Sequence, residues 1–129
     1  MGKQQKITSD KQFDCLVQIC NGDRRVVGSG IIVDEVTVIT CAHVVAVACG
    51  IDGEATEADL PKGKKIGVRR IYKEGDKADP QPATIFKFIS RKENNIKFNR
   101  NEAAVLDIAI LKVDKPYDNE DIIIRFIDF

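Results

Sequence analysis

The sequence predicts an all-β fold, a closed antiparallel barrel or a small sandwich built from six strands. Three observations carry this. Short β-branched segments recur between turn signals along the chain, and only one stretch lacks strand-like alternation. At 129 residues the chain has room for one core rather than two. Closure into a barrel would also remove the edges that a flat sheet of this size leaves exposed.

Cys15–Cys20 reads as the first strand, bounded by Asn21-Gly22, a pair that favours positive φ in a tight hairpin. Arg24–Val33 follows as the second, with Gly28 and Gly30 marking a bulge or a close backbone approach. Asp34-Glu35 then turns into Thr37–Thr40. The segment Cys41–Cys49 is rich in Ala and Val without alternation, so a short helical turn is expected there, with His43 at the junction. Gly50 to Lys65 is polar, acids first and lysines after, and reads as an exposed loop. Ile66–Tyr72, Thr84–Ile89 and Val105–Val113 complete the strands, separated by the Gly/Asp/Pro-rich Gly75–Pro82 and the Asn-rich Asn94–Asn101. The expected organisation is a polar arm over 1–12, the barrel over 13–116, and an apolar strand or linker over 117–129. Within that last part, Ile122 to Phe129 is interrupted only by Arg125 and Asp128, so it needs a cover or invites self-association.

Charge points to no partner. Lys and Arg total 20, as do Asp and Glu, so no net field recruits nucleic acid or an anionic membrane. Lys62–Lys65 and Arg69-Arg70 have no interleaved aromatics and read as a solvated face. The polar start, Met1 to Lys6, has no apolar run behind it, and Lys6 fills the position where a myristoylated Gly2 would want Ser or Thr. Together with four cysteines and no export signal, this gives the expectation of an intracellular protein with free thiols, neither membrane-spanning nor anchored.

Any imidazole chemistry rests on His43, the single histidine. A hydroxyl or thiol nucleophile needs a base near neutral pKa, which imidazole supplies. A zinc site is the competing chemistry. Cys15 and Cys20, five apart in a strand, point to opposite faces and cannot pinch one ion. Cys41, His43 and Cys49 could converge, but there is no Cys-x-x-Cys pair, and the expectation is that the cysteines are small core residues and that no cofactor is held.

Gly28-Ser29-Gly30-Ile31-Ile32-Val33, followed after a turn by Val38-Ile39-Thr40-Cys41-Ala42-His43-Val44, resembles the block around the catalytic histidine of trypsin-like serine peptidases. Asp107-Ile108-Ala109-Ile110-Leu111 looks like the segment that carries that family's catalytic aspartate. Cys41 replaces an alanine in what is normally a packed position. The resemblance implies a six-stranded Greek-key barrel equivalent to the first barrel of the chymotrypsin fold. It also implies that His43 is a general base and Asp107 its orienting acid. Apart from the resemblance, Asp107 would read as a solvated acid at the start of a strand. The separation of 64 residues is long for the family, and the surplus fits the polar loops.

The family's second barrel, which supplies nucleophile, oxyanion hole and specificity pocket, has no counterpart after Val113. Ser29 precedes the histidine block, lies outside a Gly-x-Ser-x-Gly elbow, and reads as structural. The family's activation N-terminus and the cysteine partner at Val44 are also missing. The expected function is therefore half of a serine endopeptidase, inactive alone, whose partner is a polypeptide substrate or a complementary C-terminal barrel. The alternative is a non-catalytic protein-binding barrel module.

Overall fold

The computed structural model describes residues 15–71, 79–90, 95–99 and 102–117. The chain forms β1 (Leu16–Cys20), β2 (Val26–Asp34), β3 (Thr37–Thr40), α1 (Ala42–Ala48), a 3-10 turn (Glu57–Asp59), β4 (Lys65–Arg70), β5 (Gln81–Ile89), β6 (Asn95–Asn99), β7 (Glu102–Val105) and β8 (Ile108–Val113). Six strands close into a barrel in the order β1-β2-β3-β8-β5-β4, because β1 pairs with both β2 and β4. All of these pairings are antiparallel. Hairpins join β1, β2 and β3, and the chain then returns through α1 and a long loop to lay β4 beside β1, which is a Greek key. No helix among the described residues is long and apolar enough to cross a membrane.

The period-two alternation of the strands fills the barrel. Val17, Ile19, Ile32, Val38, Ile66, Val68 and Leu111 point inward and are at most 2% exposed. Their neighbours point out. Leu16, Ile31, Ile39 and Ile110 stand in register across β1, β2, β3 and β8 on the outer surface, where Ile31 is 49% exposed.

Several expectations change in detail. The turn after β1 runs from Asn21 to Arg25, and its positive φ falls on Arg24 rather than Gly22. The Asn21 side chain accepts the backbone N–H groups of Asp23 and Arg25, which moves the turn on from the Asn-Gly pair. The Asn-rich segment holds a strand, since β6 pairs with β7 in a separate two-stranded sheet. Val105–Val113 is consequently two strands, and Asp107 lies between them. Arg69 and Arg70 are not a solvated face: they are 6% and 7% exposed. Arg69 donates from Nε and Nη2 to Gln18 Oε1, and the Arg70 guanidinium lies over the Tyr117 ring. The strand read as Ile66–Tyr72 stops at Arg70. Tyr72, the N-terminal arm and the apolar Ile122–Phe129 lie outside the described residues.

Gly28 is a close approach. A Cβ there would fall 2.5 Å from Cγ1 of Val44, so only glycine lets α1 sit against β2. Gly28→Ala should lower stability by about 1–3 kcal/mol in denaturant unfolding, and Val44→Ala in the same chain should recover part of that loss.

Asp34 turns the chain from β2 to β3. Hydrogen bonds from the Thr37 side chain and from the Val36 N–H, the latter 2.9 Å, hold its carboxyl below the ordinary value. A lowered native pKa gives stability that is present above the unfolded value and lost as pH falls through the native one. Asp34→Ala should therefore destabilise by at most about 1 kcal/mol at neutral pH, since solvent screens this exposed group. The gap from wild type should close on acidification below the usual carboxylate range.

Candidate active site

The site begins with a register. β3 pairs with β8 so that Thr40 faces Ala109, and the two strand ends emerge side by side. The buried Thr40 hydroxyl donates to the Ser29 carbonyl at 2.7 Å, fixing the end of β3 against β2. Beyond Thr40 the chain enters α1, and just before β8 stands Asp107.

At seven residues, α1 is too short to hold alone, so packing must supply its stability. Ala42, Val44, Val45, Ala46 and Ala48 are buried. His43 and Val47, one turn apart, form the open face. The loop after the helix runs past the histidine, since a Cβ at Gly53 would stand 3.6 Å from His43 Cβ.

Asp107 grips this residue at two points. Its Oδ1 accepts the His43 backbone N–H at 3.0 Å, while Oδ2 lies 2.5 Å from ring Nδ1. The first contact does the work of a helix cap, because the N-cap residue, Cys41, makes no side-chain cap hydrogen bond. The second selects a tautomer. With Nδ1–H donating to the carboxylate, Nε2 of the neutral ring is left as the acceptor. The Asp107 side chain is 18% exposed and that of His43 is 47% exposed, so the carboxylate is sheltered and the imidazole is open to a reactant. A tethered, tautomer-selected imidazole of this kind can take and return a proton.

Cys41 departs from expectation. It is exposed rather than packed. The group that gathers at His43 includes Cys41 and Asp107, one ligand atom from each lying within 4.8 Å of the others. Cys49 is not part of it. Cys49 and Cys20 are buried as core residues, and burial pushes both thiols up. Sequence reasoning weighed Cys41 with His43 and Cys49 and expected a small core residue; the structure leaves Cys41 exposed and groups it with His43 and Asp107 instead.

Two open concavities of about 410 Å³ each lie elsewhere, one beside Leu60 and Phe86 and the other beside Gly67 and Pro82. Neither is lined by His43 or Asp107. No family model matches the chain, and no curated protein matches it.

Removing the carboxylate should loosen the helix start before it touches the barrel. Asp107→Ala should speed amide exchange at His43 by roughly ten- to a hundredfold, the scale of one charge-assisted hydrogen bond. Core amides of β1 and β3 should be unchanged.

Proposed function

We propose that this chain is the N-terminal half of a trypsin-like serine endopeptidase, hydrolysing peptide bonds only together with a complementary C-terminal barrel. The observation that carries this reading is the two-point contact of Asp107 with His43, made across 64 residues of sequence. It joins the two residues that the family resemblance singles out. In this reading, a nucleophile from the complementary half loses its proton to His43 Nε2, and Asp107 stabilises the resulting imidazolium without taking the proton. His43 then returns the proton to the leaving amine. In this reading the oxyanion donors and the specificity pocket also come from the second barrel.

A second reading, a non-catalytic protein-binding barrel, draws on the apolar row of Ile31 and Ile39 on the outer surface. Exposed apolar surface of this kind marks contact sites, and either reading gives it a protein partner.

The test mixes the chain with the segment encoded immediately downstream, or with the C-terminal barrel of a trypsin-like peptidase. Peptide cleavage and fluorophosphonate labelling should arise only in the mixture. His43→Ala and Asp107→Asn should each lower the rate by about 10⁴-fold or more. Partner binding without cleavage, unchanged by either substitution, would favour the non-catalytic module.

A further inference from the structure

An exposed thiol, an imidazole and a carboxylate meet at the mouth of α1, and the peptidase reading uses only two of them. We propose that Cys41, His43 and Asp107 bind a thiophilic divalent cation of the zinc class. Their ligand atoms lie within 4.8 Å of one another. A tetrahedral ion with bonds of about 2.0–2.3 Å holds its ligand atoms about 3.3–3.6 Å apart. His43 Nδ1 and Asp107 Oδ2, 2.5 Å apart, must open by about an ångström to admit the ion, and the Cys41 sulfur must settle at the same spacing. Cys41 and His43 can make these adjustments by rotation, because both are exposed. Asp107 stays in place through the His43 N–H on Oδ1, which keeps Oδ2 facing the group.

The donor set selects the ion. One sulfur, one nitrogen and one oxygen suit a borderline-soft cation, whereas a lone carboxylate is too little for calcium or magnesium. Three protein ligands leave a fourth position for water, the pattern of an open site rather than a closed structural one. The thiolate is the ligand, so Cys41 releases its proton to solvent as the metal–sulfur bond forms, and no oxidation state changes. The barrel core does not include these side chains, so the fold stands without the ion.

Occupancy also removes the base. With the ion on Nδ1, the ring hydrogen moves to Nε2, which then has no lone pair to accept a proton, so the cation would inhibit the chemistry proposed above. This consequence rests on the peptidase reading; the binding does not.

Cobalt(II) added to the full chain should give thiolate-to-metal charge-transfer absorption and tetrahedral visible bands that saturate at a single equivalent and are abolished by zinc. Cys41→Ala and His43→Ala should each weaken binding by more than about 100-fold. Cys15→Ala should leave it unchanged. Thermal unfolding of metal-free Cys41→Ala should match wild type, which separates lost ligation from lost fold. Bands that persist in Cys41→Ala, or that never form, overturn the proposal. Where the chain complemented by a second barrel cleaves peptide, zinc should slow wild type and spare Cys41→Ala. Metal binding without any His43-dependent cleavage would overturn the peptidase reading and leave the metal site standing. Cleavage without metal binding would do the reverse.

Discussion

Antiparallel pairing of Thr40 with Ala109 decides where the two chain segments that build the site leave the barrel. The core holds that register. Val38 and Thr40 of β3 turn inward, as do Ala109 and Leu111 of β8, and all four are at most 6% exposed. A slip of one residue would move this set to the outside and bring Ile39 and Ile110 in, so register and burial enforce each other. His43, three residues past Thr40, and Asp107, two residues before Ala109, are then held at neighbouring exits. Their meeting is a consequence of barrel packing rather than of any local sequence preference.

What remains is the orientation of a very short helix. Three valines and no acidic residue in its first turn give α1 little intrinsic reason to form. Two tertiary contacts substitute. Gly28 admits Val44 against β2, and the Asp107 carboxylate receives the second N–H of the helix. A charge-assisted hydrogen bond contributes about 1.5–3 kcal/mol, and overpacking at Gly28 would cost about 1–3 kcal/mol. The two are of equal scale, so neither dominates. The imidazole direction depends on both.

Much of this was legible from residue order. The five strands from β1 to β5 and the helical turn lie close to where alternation and turn residues put them, and His43 and Asp107 were singled out before their contact was known. Strand alternation alone did not decide barrel against sandwich, because that rests on β1 pairing with β4, a contact about fifty residues apart that no local pattern encodes; the family resemblance implied the six-stranded barrel that the structure has. The β6–β7 hairpin was missed because Asn94–Asn101 has the composition of a loop. Arg69 and Arg70 misled through residue type: arginine is usually exposed, yet here Gln18 and Tyr117 meet the charged groups. Cys41 misled through resemblance, since a position that is packed in the family is open here.

That last difference bears on chemistry. A carboxylate beside an imidazole serves equally a proton shuttle and, given a third donor, a metal site that takes both groups as ligands. With alanine at position 41, only the first would have a full set of parts on this side of the site. The thiol of Cys41 adds the soft donor that the second requires. An ion shared with Asp107 Oδ2 takes Nδ1, the ring nitrogen beside that oxygen, and replaces the hydrogen bond between them. The ring hydrogen then sits on Nε2, so a proton-accepting Nε2 and a metal-bound Nδ1 exclude each other.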